Sequence, residues 1–184
     1  MVILRPTKKL RSVLPTADVS AQSDTALGDW YVNRVVVDRQ PLLLLVSSTS
    51  LLPLVLPARD VRSLPRGLGA LVASRLQRLG IGSDTIAAEV QAMHPVVVAP
   101  TVDRSVLGIV VDFAKAIPYY SVSTYRGAPG LAGLEDWLAE TPCHAALSQE
   151  RVVFPNRKAP ELLLAKWLAN RPLQPTSGAG HAVH

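Results

Sequence analysis

A chain of 184 residues suits one globular domain, because a core of this size buries about two thirds of the surface that the unfolded chain exposes. Although 48% of the residues are hydrophobic, no run reaches the roughly 20 uncharged residues of a membrane-spanning helix, and the longest apolar stretch, 41–58, is broken by Ser47, Ser48, Thr49, Ser50 and further prolines. A single cysteine, Cys143, excludes an internal disulfide and a cysteine-built zinc cluster, while a net charge of +5 and a pI near 9.7 leave a basic excess.

The start does not read as a signal peptide, since Lys8, Lys9 and Arg11 follow the apolar residues instead of preceding them; a cytoplasmic protein is expected. Residues 2–4 predict a short strand, followed by a helix capped by Thr7 with Leu10, Val13 and Leu14 at helical spacing. After a polar linker over 15–26, residues 30–37 are rich in β-branched and aromatic side chains. Asp38-Arg39-Gln40-Pro41 reads as the turn into a second strand, 42–47, making a central hairpin. Both strands are apolar almost throughout, so both faces should be covered by helices. Residues 51–56 add a third strand, which Pro53 pushes to an edge or a bulge.

Helices follow. Leu68, Leu71, Val72, Leu76 and Leu79 recur at the helical period, and Gly80 and Gly82 punctuate. Ser83 or Asp84 starts a helix carrying Ile86, Val90 and Met93, which His94-Pro95 ends before a short strand at 96–98. The next helix is expected over 103–117, stopped by Pro118. Val106, Leu107, Val110, Val111, Ala114 and Ile117 form its apolar arc, and Arg104, Ser105, Gly108, Asp112 and Lys115 its polar side. A loop over 126–133, a short helix over 134–140 and a last helix over 160–170, with Leu163, Leu164 and Trp167 inward, complete the body. The segment 171–184 lacks periodicity and is expected to be a disordered tail. The sum is a single α+β domain over 1–170: a small, mostly antiparallel sheet with a central hairpin, covered by several helices.

Familiar catalytic templates are missing: there is no Walker loop, H-E-x-x-H, G-x-S-x-G elbow or dinucleotide fingerprint. Cys143 and His144 are neighbours whose side chains diverge on most backbones, and Cys143 reads as a small core residue. No cofactor is implied, and no spacing supports a metal site.

Two polar groups are candidates for binding. In an extended strand Asp29, Tyr31 and Asn33 share one face and Trp30, Val32 and Arg34 the other. Trp30 beside Asn33 could stack on a base and hydrogen-bond it; the structural alternative has Asp29 capping a turn after Gly28, Trp30 filling core and Asn33 satisfying backbone. In the 103–117 helix, Arg104 and the free N-terminal amides would favour an anion such as phosphate, with Asp112 further along the same polar line. The alternative has Asp103 or Thr101 capping the helix and Gly108 admitting a close neighbour. Cations also cluster: Arg5, Lys8, Lys9 and Arg11 precede the first acid, Asp18, and Arg59, Arg62, Arg66, Arg75 and Arg78 face only Asp60 in their stretch. Such clusters contact phosphates or simply form a solvated face.

The segments T-K-K-L at 7–10, L-G-D-W-Y-V-N at 27–33 and R-S-V-L-G at 104–108 together resemble a family of bacterial proteins known only as a domain of unknown function. The resemblance covers about residues 4–120. It implies a compact α+β domain of bacterial, cytoplasmic source and supplies no activity. Where that family continues S-M-N-D after R-S-V-L-G, this chain has Ile109-Val110-Val111-Asp112, keeping the acid and losing two polar groups. The expected function is a binding or regulatory module contacting nucleic acid or a protein partner through Trp30, Asn33, Arg104, Asp29 and Asp112. The alternatives are an enzyme with a polar pocket from Asp29, Asn33, Arg104 and Asp112, or one half of an operon-encoded protein pair.

Overall fold

Near-continuous apolar runs need cover on both faces, and the chain supplies it by folding helices onto either side of one sheet. A computed structural model describes residues 1–19, 21–124, 130–144 and 152–168. Strands β1 (Val2–Pro6), β2 (Trp30–Val37), β3 (Gln40–Ser47), β4 (Pro53–Pro57) and β5 (Val96–Val98) stand in the order β4-β3-β2-β1-β5. The helices are α1 (Leu64–Arg78), α2 (Ser83–Ala92), α3 (Arg104–Thr124), α4 (Gly130–Ala139) and α5 (Pro155–Trp167), with 3₁₀ turns at Lys8–Leu10 and Ala58–Asp60.

The β2–β3 hairpin turns on Asp38 and Arg39, whose φ angles of 48° and 65° are the left-handed pair that a twist-matched two-residue turn requires. β3 and β4 are also antiparallel. β1, however, runs parallel to both of its neighbours, β2 and β5, so the sheet is mixed and not mostly antiparallel. The correction has a physical reason. Periodicity within a strand fixes which face is buried, but strand direction is set by the connections, and those leading to β2 (7–29) and β5 (58–95) are long enough for parallel crossovers.

Alternation along the strands builds two cores. Val2, Leu4, Trp30, Val32, Leu43 and Leu45 pack with α1, α2, α5 and the β1–β2 connection. Tyr31, Val37, Leu42, Leu44 and Val46 pack with α3 and α4 on the opposite face. β4 is an edge strand, as Pro53 implied, and its outer rim offers no free backbone donor. The Val55 N–H donates to the Glu135 carboxylate at 2.7 Å, and the residues of the same parity, Pro53 and Pro57, have no N–H. An open sheet edge invites pairing with another chain, and this one is closed by chemistry.

Local departures from expectation follow from tertiary contacts. Thr7 caps no helix; only a 3₁₀ turn forms, with Leu10 and Leu14 buried and Val13 exposed. α3 continues through Pro118 to Thr124, because Ile117 and Tyr120 on either side of the proline are buried and hold the segment against the sheet. Its inward arc includes Ile109 and Phe113, whereas Val111 is 45% exposed. Gly130 to Gly133, expected as loop, open α4. α5 begins at Pro155 in its first turn, buries Leu163 and leaves Leu164 exposed. The expected tail at 171–184 lies outside the described residues.

Candidate functional site

β1 and β5 lie side by side, and the chain leaves them toward opposite faces of the sheet. After β1 it turns to the face where Leu10 and Leu14 join the α1 core; after β5 it enters α3 on the other face. Diverging exits from adjacent parallel strands are where open sheets of this kind hold ligands, which makes the space between these two exits, the crevice, the candidate site.

The floor of the crevice is a buried ion pair. Arg5, 6% exposed, pairs through Nε with Asp29 and donates Nη1 to the Pro100 carbonyl at 2.6 Å. Asp29 also accepts the Ser23 hydroxyl, which itself accepts the Ile3 N–H at 3.0 Å, and the Asp29 N–H donates to Ser48 Oγ at 2.8 Å. Above the floor, Thr7 donates its hydroxyl to Asn33 Oδ1 at 3.0 Å, and Arg11 Nη2 reaches Thr101 Oγ1 at 3.5 Å. The Tyr31 hydroxyl accepts the Asp103 N–H at 3.0 Å, and burial raises the Tyr31 phenol above its ordinary value. Asp103 Oδ1 in turn accepts the N–H groups of Ser105 at 2.7 Å and Val106 at 3.3 Å.

A family profile described as "Domain of unknown function (DUF6933)" matches residues 3–158. The chain belongs to the DUF6933 family. No curated protein and no solved structure matches it. The matched span runs well past residue 120, so Cys143 and His144 fall inside the DUF6933 domain, contrary to the shorter stretch that the motifs had suggested.

Within this DUF6933 domain the motif residues have distinct placements. Trp30 is 1% exposed in the α1-side core and offers no ring face to a base. Gly28 has φ 75°, and a Cβ there would overlap the Ser48 and Thr49 hydroxyls, so L-G-D-W is a joint whose tight turn requires glycine. Asn33 is half-buried beside Thr7, and Arg104 is exposed at the start of α3, next to the Asp103 that Tyr31 holds. Asp29 stands just before β2, level with Ile3, Asn33 lies four residues on, about 13 Å along the strand, and Arg104 opens α3. Asp112 lies eight residues beyond Arg104, about 12 Å along α3, exposed and 3.9 Å from Lys115.

Two expectations for α3 are corrected. The amides that would have bound an anion already bind the Asp103 carboxylate, so the helix N-terminus is capped from within. Gly108 admits no close neighbour, since a Cβ there would meet nothing within 4 Å. Cys143 is buried, and desolvation, with a smaller contribution from the Asp112 charge, pushes its thiol up to about 11. Such a thiol is no nucleophile near neutral pH. Among the described residues no group of three His, Cys, Asp or Glu side chains could hold a metal ion, and no helix is long and apolar enough to cross a membrane.

Neither Arg11 facing Thr101 nor Tyr31 bonding Asp103 was legible beforehand, because both contacts join segments far apart in the chain. Glu89 was equally hidden. Buried at 1% exposure, it accepts the N–H groups of Ala26 at 2.8 Å and Leu27 at 3.0 Å and the Trp167 indole at 2.7 Å, tying the L-G-D-W joint to α2 and α5.

Proposed function

We propose that this DUF6933 domain is a non-catalytic binding module that holds nucleic acid by its phosphate backbone at the hairpin end of the sheet. One observation carries the reading: cations from separate segments converge there. The 3₁₀ turn bearing Lys8 and Lys9 is tied to β2 by the Thr7 N–H to Val32 carbonyl bond at 3.0 Å. Arg34 and Arg39 lie on the second half of β2 and on its turn. The pairing of Leu42 with Pro57 sets Arg59 beside that hairpin, and Arg62 and Arg66 follow into the first turn of α1.

All these side chains are exposed, and within their segments only Asp38 and Asp60 oppose them. The Arg59–Asp60 pair, 3.9 Å apart and open to solvent, contributes little attraction. With Trp30 in the core, sequence reading by base stacking loses its residue, and binding through phosphates is the form the surface supports. A regulatory role in a bacterial cytoplasm fits a module of this kind. The enzymatic alternative has less support, since Asp29 is engaged by Arg5 and Ser23 and Asp112 stands two turns from Arg104.

Filter binding to random duplex DNA and RNA at low salt is the test. Affinity should fall log-linearly with salt, with a slope of about −0.9 per phosphate contacted on duplex DNA. The triple variant Arg59→Gln/Arg62→Gln/Arg66→Gln should flatten that slope by roughly one for each phosphate contact removed. Absence of binding at low salt overturns the reading and would favour an acidic protein partner for the same surface.

A further inference from the structure

We infer that the nucleic acid is single-stranded and that one of its unpaired bases enters a cavity beside Arg59; this rests on the hairpin-end reading and adds the class of ligand to it.

The cavity is a step in the sheet. β3 begins with Gln40 and Pro41, which pair with β2 but have no partner on β4, because β4 ends at Pro57 opposite Leu42 and the chain turns off into Ala58–Asp60. Leu131, in the first turn of α4, closes the step from the helix side. The space bounded by Gln40, Pro41, Leu42, Pro57, Arg59 and Leu131 has a volume of about 330 Å³.

Its walls decide what fits. Pro41 and Pro57 have no N–H, and together with Leu42 and Leu131 they make an apolar lining. Gln40 is exposed, and its amide both donates and accepts hydrogen bonds. Among the described residues Arg59 is the one charged group in the wall, with 83% of its side chain exposed. Neither Asp38 nor Asp60 lines the cavity, and Asp60 approaches Arg59 only to 3.9 Å.

At the small end of the roughly 300–1,000 Å³ range of ligand pockets, the cavity has room for one flat ring system. A phosphate alone would leave the apolar lining uncovered, and an acyl chain would leave the amide without a partner. A nucleobase has apolar faces and a hydrogen-bonding edge, and it arrives attached to a phosphodiester for Arg59 and for Arg39, the neighbour of Gln40. In a duplex the faces are stacked and the edges paired, so only an unpaired base enters.

The test measures fluorescence anisotropy of the full chain with two labelled DNA strands at matched low salt. One is a mixed-sequence strand of about 12 nucleotides, within the site sizes of single-strand binders; the other is an abasic strand of the same length, with the same phosphates and no bases. The natural strand should bind about tenfold tighter with the same salt slope, because a base contact adds affinity without adding a phosphate contact. Gln40→Ala, at an exposed position, should weaken the natural strand by about threefold or more and leave the abasic strand unchanged. Leu131→Phe, which narrows the cavity, should do the same. Equal affinity for the two strands overturns the inference and leaves the phosphate reading standing, as does a Gln40→Ala effect of equal size on both. Absence of binding by either strand at low salt overturns the two together.

Discussion

Replacing Gly108 by alanine should make the protein more stable. The residue sits in the first half of α3, exposed, and its φ is not among the positive values that would demand glycine. A Cβ added there meets nothing within 4 Å, and its neighbours one turn either way, Arg104 and Asp112, point to solvent. Nothing in the fold therefore compensates for the backbone entropy that glycine loses in a helix, which is about 1 kcal/mol relative to alanine. For a chain of this size a gain of that order shifts the thermal midpoint upward by about 2–4 °C. Urea unfolding should show a higher midpoint at an unchanged m-value, because no additional surface is buried. A lower midpoint, or a changed m-value, would refute the reasoning by showing that the glycine holds a backbone state or a close contact. A stability gain accompanied by loss of nucleic-acid binding would have a different meaning: the open space over Gly108 would then be ligand space.

Gly28→Ala should act in the opposite direction, lowering stability by about 2 kcal/mol or more, since it combines a left-handed φ with overlap of the Ser48 and Thr49 hydroxyls; a urea midpoint close to that of the parent would count against the joint. Glu89→Ala strands two buried backbone donors and the part-buried Trp167 indole and should cost about 3 kcal/mol, and a double-mutant cycle with Trp167→Phe should show coupling of at least about 1 kcal/mol, while strict additivity would show that the indole bond is idle. Cys143, with its thiol near 11, should resist iodoacetamide in the folded protein at pH 8 and react once urea unfolds it; rapid labelling of the native state would contradict its burial.

The hairpin was legible because its evidence is local: near-continuous apolar, β-branched and aromatic runs on both sides of a polar turn specify the pairing without reference to anything distant. β1 was legible as a strand but not as the parallel partner of β2 and β5, since that depends on where connections of more than twenty residues travel. Pro118 was weighed by its own chemistry, a missing N–H and a ring clash, whereas in the fold the burial of Ile117 and Tyr120 offsets a cost of about 3 kcal/mol. The polar candidates divide in the same way. Asp103 was recognisable as a cap because the cap is a contact between near neighbours. Arg11 was invisible as a site residue because its significance arises from Thr101, ninety residues later. Trp30 was ambiguous in the sequence because a core tryptophan and a stacking tryptophan have the same neighbours in a strand; only the packing of α1 and α2 over it decides.

The L-G-D-W joint and the crevice are connected through one side chain. Arg5 reaches Asp29 at the entry to β2 with Nε and the Pro100 carbonyl beyond β5 with Nη1, so a single guanidinium on β1 ties together the two strands that flank it. The planar fork makes this possible, since its donors point in fixed directions that a lysine ammonium cannot reproduce. Asp29 is in turn held by Ser23 and Ser48, and the backbone just before it by Glu89. The motif therefore shapes the crevice from beneath and leaves its walls to Thr7, Arg11, Asn33 and Thr101. This division explains why the most conspicuous residues in the sequence, Asp29 and Trp30, contribute geometry, while Arg11, whose Nε has no partner, lies on the segment that follows β1.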